Sequence, residues 1–263
     1  MVSDELWSLI EPLLPEPGPK LVEGRPRVPD RLALCGILFV LHTGIQWEYL
    51  PQELGFGSGM TCWRRLAAWN EAGVWDELHL VLLKKLRAAK KLDWSRAVID
   101  SSHVRGPLGG AQKRPQPGRP RTAGQQHHVL TDGQGIPLAV SLTGGNRNDV
   151  TQLLPLLDKV PTVAGVVGRP RRRPDALLAD RGYDHDKYRR LLWQRGIRPV
   201  IAERGVENGS GLGVFRWVVE RTIAWLHGFR RLRIRWERRD DIHEAFLGLA
   251  TCLISHRHVQ RLC

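Results

Sequence analysis

Residues 211–239, GLGVFRWVVERTIAWLHGFRRLRIRWERR, decide how this chain is read. Phe215, Val218, Val219, Thr222, Leu226 and Phe229 recur at three- and four-residue spacing, which predicts a helix with one apolar stripe turned to a core. Arg216, Glu220 and, two turns on, His227 fall on the neighbouring face. Gly228 is a fitting stop, and beyond it Arg230, Arg231, Arg233, Arg235, Arg238 and Arg239 stand against a single acid, Glu237. By themselves these residues need be no more than a surface i,i+4 pair followed by a solvated basic face. The rest of the chain gives the carboxylate of Glu220 a second meaning.

The 263 residues suffice for one large or two modest domains, and 42% hydrophobic content supports a true core. A formal net charge of +13 exceeds what solubility requires and points to a polyanionic partner. Nucleic acid suits it better than a membrane surface, because no basic amphipathic helix with a bulky apolar face stands out. Only eight of the 40 basic residues are lysine; the arginine fork favours bidentate phosphate contact. Cys35, Cys62, Cys252 and Cys263 are far apart and form no CxxC pair, so neither a zinc site nor a disulfide framework is implied. The start MVSDELWSLI has no signal-peptide pattern, and no apolar run approaches a membrane span. A soluble, cytoplasmic protein with reduced thiols is expected.

Upstream of the opening stretch, residues 1–92 read as helices with short breaks. Ser3 caps the first, which Pro15 and Pro17 end; Asp30 opens an apolar second. A third, over 60–71, carries Trp63, Arg64, Arg65 and Trp69, and a fourth covers 74–91. Arg64 and Arg65 on such a helix are compatible with a helix-turn-helix DNA reader, and equally with a bundle that only packs on its neighbour. From residue 93 the period becomes strand-like. Residues 97–104 (AVIDSSHV), 129–131 and 137–142 read as strands, the last two joined by the hairpin signal Asp132-Gly133-Gln134-Gly135. A helix over 153–159, a strand over 176–180, a helix over 184–194 and a strand over 198–202 complete an α/β layout around a mixed sheet. Stretches 105–126 and 160–174 are rich in Gly, Pro and Arg and read as basic loops. The first holds Arg119 and Arg121 in one of three Gly-Arg-Pro-Arg copies.

Asp100 sits in a strand otherwise built of Ala97, Val98 and Ile99, and Asp180 closes the strand ALLAD. An acid at the end of a buried apolar strand is costly unless it is paired or holds a metal. Singly, each could be a helix cap or a salt-bridge partner. With Glu220 they could make a carboxylate cluster at one edge of the sheet, whose hard oxygen ligands suit magnesium or manganese rather than zinc. Two such ions, about 3.5–4 Å apart, activate a nucleophilic oxygen and stabilise the leaving one in a phosphodiester displacement.

Four segments carry a family resemblance: IDSSHVR (99–105), HHVLTDGQGIPLAVSLTGGNRNDVTQLLPLLD (127–158), RRPDALLADRGYDHDKYRRLLWQRGIRPVIA (172–202) and GLGVFRWVVERTIAWLHGFRRLRIRWERRDDIHEAF (211–246). They resemble the DDE transposases of bacterial insertion sequences, in the insertion-sequence-five family. The likeness implies a ribonuclease H-like core, with the catalytic and metal-binding acids falling on Asp100, Asp180 and Glu220. It implies cleavage at the element's end to free a 3′ hydroxyl, then attack of that hydroxyl on target DNA, with two magnesium or manganese ions and no covalent protein intermediate. The implied partner is double-stranded DNA, both terminal inverted repeats and target, held by a homo-oligomer at the bacterial nucleoid.

Around the third acid the family pattern is Tyr, two residues, Arg, three residues, Glu, six residues, then Lys or Arg. Arg216 and Glu220 fit it, while Gly213 stands at the tyrosine position and His227 at the base position. DNA contact is carried over to Arg216 and His227, with Arg230 or Arg231 in place of the absent lysine. Arg64, Arg65, Arg119 and Arg121 join them as expected DNA contacts. The expected division is a helical DNA-binding domain over 1–92 and a catalytic domain over 93–263. A nuclease of the same core without strand transfer, or a DNA-binding protein without catalysis, are the alternatives. His127 and His128 are expected to be hydrogen-bonded structural residues, and Asp184 and Asp186 to serve a helix dipole.

Overall fold

A computed structural model describes residues 2–18, 26–106, 124–203, 205 and 213–262. The N-terminal part is helical. Ser3 accepts from the Leu6 amide at 3.2 Å and starts α1 (Asp4–Ile10), which tightens into a 3₁₀ turn before Pro15. Then come α2 (Asp30–Thr43), α3 (Gly59–Glu71), whose cap Ser58 accepts from Thr61, and α4 (Val74–Ala88). Helix α2 ends at Gly44, where φ is 75°, a value that a side chain disfavours.

The sheet follows, as β1 (Ala97–Val104), β2 (Gln125–Asp132), β3 (Pro137–Gly144), α5 (Leu153–Lys159), β4 (Ala176–Ala179), α6 (Asp186–Gln194) and β5 (Arg198–Ile201). Its strand order is β3-β2-β1-β4-β5, antiparallel across the first three and parallel from β1 through β4 to β5. This is the ribonuclease H-like arrangement. The hairpin between β2 and β3 is tied by Asp132, whose carboxylate accepts from the amides of Gln134, Ile136 and Asp93 at 2.8–2.9 Å. Strand β2 is longer than residues 129–131: it takes in the buried His127 and His128.

Three helices close the chain: α7 (Gly213–Gly228), the short α8 (Arg230–Arg233) and α9 (Asp240–Gln260). The apolar stripe of α7 is buried at Val218, Val219, Thr222 and Leu226, and Phe229, just past the helix end, is buried with it. Phe215 departs from the expected stripe. It lies in the first turn, 42% exposed, with the Arg96 guanidinium 4.5 Å above its ring. Helix α9 has no counterpart among the elements read from sequence.

Strand alternation gives the sheet two covered faces. Ala97, Ile99, Leu130, Leu177 and Ala179 enter a core with α5, α6 and Tyr183. Val98, Val129, Ala176 and Leu178 enter the other, larger core with α2, α3, α4, α7 and α9. That core runs without a break across residues 92 and 93, joining the N-terminal helices to the sheet. No helix of the described residues is long and apolar enough to cross a membrane.

Candidate active site

Alternation along β1 puts Asp100 on the same face as Val98, the face crossed by α7. Its side chain is only 16% exposed. One oxygen accepts from the Ser101 amide at 2.8 Å, and the other accepts from Arg216 Nη2 at 3.0 Å. That same Nη2 stands 3.9 Å from Glu220 Oε1, one helical turn further along α7, and the Glu220 side chain is 59% exposed. A single guanidinium therefore joins the first and third acids.

Asp180 follows β4 directly. Ala97 pairs with Leu177 and Val98 with Leu178, and continuing that offset brings Asp180, just past the end of β4, level with Asp100 in the middle of β1. Asp180 Oδ1 accepts from the Gly182 amide at 2.9 Å, capping the 3₁₀ turn Arg181–Tyr183. A Cβ on Gly182 would meet that oxygen at 3.0 Å, so a larger residue would crowd the acid. Burial, seconded by the charge of Asp180, pushes the Asp100 carboxyl above its ordinary value against the pull of Ser101 and Arg216.

The three acids are thus on one side of the sheet, with Arg216 as the cation between two of them. Among the described residues no three His, Cys, Asp or Glu side chains are grouped tightly enough to hold a metal as they stand. The donor set nevertheless suits a hard divalent cation: it is all carboxylate oxygen, and a guanidinium already occupies the place of positive charge.

Other expected contacts divide sharply. Arg64 and Arg230 are exposed. Arg65 is ion-paired with Asp30, its side chain 13% exposed, and Arg231 is buried against Glu237, with its Nη1 donating to the Ile45 carbonyl at 2.8 Å. Arg65 and Arg231 are therefore internal struts in this structure: Arg65 shares Asp30 with Arg27, and Arg231 is paired with Glu237. His227 is turned inward: its Nε2 lies 2.8 Å from Ser102 Oγ on β1, and burial and Arg233 lower its pKa. A neutral ring facing the sheet is a poor substitute for a basic residue on phosphate. Arg119 and Arg121 lie outside the described residues.

Tyr183 was not singled out from sequence. It is buried beside the acids, and burial followed by the charges of Asp149, Asp100 and Asp180 pushes its hydroxyl above the ordinary tyrosine range. Its place in the ADRGYD block, three residues after Asp180, is the signal that could have drawn attention to it.

Comparison with known proteins bears on the same residues. Residues 2–79 match a family described as "Putative transposase of IS4/5 family", and residues 94–209 and 177–255 match two families described as "Transposase DDE domain". The "Putative transposase for insertion sequence element IS402" of Burkholderia cepacia is 55% identical over 63% of this chain and 77% of its own length. The chain belongs to the IS4/5 family of DDE transposases.

This transposase is also 57% identical, over 43% of its length, to an uncharacterized 16.2 kDa protein of the same insertion element, covering 78% of that protein. Among solved structures, a chain of the Mos1 strand transfer complex aligns over 94% of this transposase and 79% of its own length, at 11% identity and a TM-score of 0.37. A likeness that weak adds nothing to the fold reading, which rests on the strand order itself.

Proposed function

We propose that this transposase cleaves the ends of its insertion sequence and joins the freed 3′ hydroxyl to target DNA, with Asp100, Asp180 and Glu220 as the acids that hold its divalent ions. The observation that supports the reading is the parallel register of β1 and β4, which carried two residues further sets Asp180 level with Asp100, together with the Arg216 guanidinium between Asp100 and Glu220. Magnesium or manganese, one ion or two, bound by these carboxylates would activate the attacking oxygen and stabilise the leaving one.

The chain's own residues have distinct tasks in this scheme. Asp100 is fixed by strand pairing and by the Ser101 amide, so its carboxylate stays aimed when its partner changes. Arg216 neutralises Asp100 and Glu220 while no metal is bound, and its release frees a guanidinium for a DNA phosphate. Exposed Glu220 has the freedom to swing toward a shared ion. Arg64 and Arg230 supply phosphate contacts from outside the site, and the net charge of +13 draws the duplex in. The helical part, residues 1–92, acts as the DNA-binding region, and 93–263 as the catalytic one. Two or more copies bring the element ends together, in the bacterial cytoplasm.

The test is cleavage of end-labelled duplex carrying the element's termini. Asp100→Asn, Asp180→Asn and Glu220→Gln should each reduce magnesium-dependent cleavage by at least about a hundredfold while leaving duplex affinity near that of the parent. Parental cleavage rates in any one of the three would overturn the assignment.

A further inference from the structure

Away from the acids, a cavity of about 580 Å³ opens between the N-terminal helices and the segment that follows α8. That volume falls in the range of sites for small organic groups. The indoles of Trp47, Trp63 and Trp236 wall it, and Arg238 and Arg239 stand at its rim. Trp236 is 41% exposed, so part of its indole is open to the cavity.

The floor is built rather than accidental. Arg231 Nε donates to Glu237 Oε1 at 3.1 Å, and the same oxygen accepts from Trp47 Nε1 at 3.1 Å. Both charges are buried, and Trp47 is further held by stacking on Phe246, ring centroids 5.5 Å apart. At the rim, Arg239 is held by Asp241 and lies 5.3 Å over the Trp63 ring, while Arg238 is exposed. The acid in the floor is neutralised by Arg231; the lining also holds exposed Glu48, set against the exposed Arg238 and Arg239.

The cavity is also connected to the catalytic strand. The Arg235 amide donates to the Arg105 carbonyl at 2.9 Å, and Ile234 bridges Arg105 in parallel, so the segment bearing Trp236 runs on from the end of β1 past Asp100.

We propose that this cavity binds one unpaired nucleobase of a DNA strand, stacked on Trp236, with its phosphate met by Arg238. The inference rests on the reading of the chain as a DNA-acting enzyme and adds a site to it. Indole faces stack on any base, and a base within a duplex has both faces already covered, so the cavity selects a base that has left the helix. The rim guanidinium supplies the complement to its phosphate.

The probes are a duplex with a single unpaired 2-aminopurine and its fully paired counterpart, titrated into the full-length protein. The parent should bind the unpaired form at least about tenfold more tightly, with quenching of the 2-aminopurine emission as it stacks. Trp236→Ala should bind both DNAs with the affinity of the paired form. Trp236→Phe, which keeps an aromatic face, should restore most of the preference. Because Trp236 is part-exposed, the alanine variant is expected to keep the parental melting temperature, which a thermal scan checks. Equal affinity of the parent for the two probes, or an undiminished preference in a folded Trp236→Ala variant, would overturn the site. If cleavage of paired DNA still needed the three acids in that case, the transposase reading would stand without the cavity.

Discussion

At the scale of single residues, the site is built on an acid kept against its preference. Asp100 is nearly enclosed beside Asp180, and one guanidinium does not fully offset that burial. Its carboxyl therefore titrates above the ordinary 3.8 in the folded protein. The ionised form costs stability at neutral pH, and the cost disappears as pH falls through the folded value toward the unfolded one. Asp100→Asn should accordingly melt above the parent at pH 7, with the gap closing as the pH is lowered toward 4, in thermal scans followed by circular dichroism. A variant less stable than the parent at pH 7 would contradict this. The three proposed acids stand out in the sequence because an aspartate closing an apolar strand is unusual and because their motifs resemble a known family. The Arg216–Asp100 pair was not, since it spans 116 positions and depends on where α7 crosses β1. Arg231 misled for a related reason: within an arginine-rich run, the one that turns inward to Glu237 looks like its neighbours.

At the scale of elements, α7 was readable and α9 was not. Helix α7 faces the core with one stripe, which leaves a 3.6-residue signature. Helix α9 lies between the N-terminal helices and the sheet, is buried at Ile242, Phe246, Leu249 and Ile254 and at many positions between, and so lacks a single apolar face. Strand β2 was cut short because Gln125, Gln126, His127 and His128 are polar yet buried. The two histidines find partners that sequence cannot show: His128 Nε2 is 2.7 Å from Thr143 Oγ1, and His127 Nε2 is 2.8 Å from His243 Nε2 on α9. Burial, with the neighbouring Arg235 and Arg231, lowers His243 to about 4, and burial holds His127 well below its usual range. Both rings are neutral in the folded state near pH 6, whereas the unfolded chain takes up protons from about 6.5 downward. Stability tied to this pair is complete above 6.5 and is lost as pH falls toward 4. In denaturant titrations between pH 6.5 and 5, His243→Leu should reduce the acid-side slope by about 1 kcal/mol per pH unit relative to the parent. An unchanged slope would show that His243 is not held neutral.

At the scale of the whole molecule, composition points to a polyanionic partner, and the fold sorts the arginines into those that serve the surface and those that serve the interior. Exposed Arg64 and Arg230 should act through counterion release: alanine at either should lower the slope of log affinity against log salt by about one, with little change in melting temperature. Arg231→Ala should instead lower the melting temperature, because it leaves Glu237 buried without its cation, whereas Arg65→Ala should cost less, since Asp30 keeps its pair with Arg27. A stable Arg231→Ala protein with an altered salt slope would reverse that assignment. One continuous core joins the N-terminal helices to the sheet, so under the proposed function DNA held by the first would be presented directly to the second.

The central claim is that Asp100, Asp180 and Glu220 share a divalent ion once Arg216 withdraws. Anomalous scattering from crystals of the DNA complex grown with manganese tests it most directly. The account predicts a manganese peak between the Asp100 and Asp180 carboxylates, with Glu220 turned toward the metal site and the Arg216 guanidinium moved from Asp100 to a phosphate. Manganese bound elsewhere, with Arg216 still paired to Asp100, would contradict it.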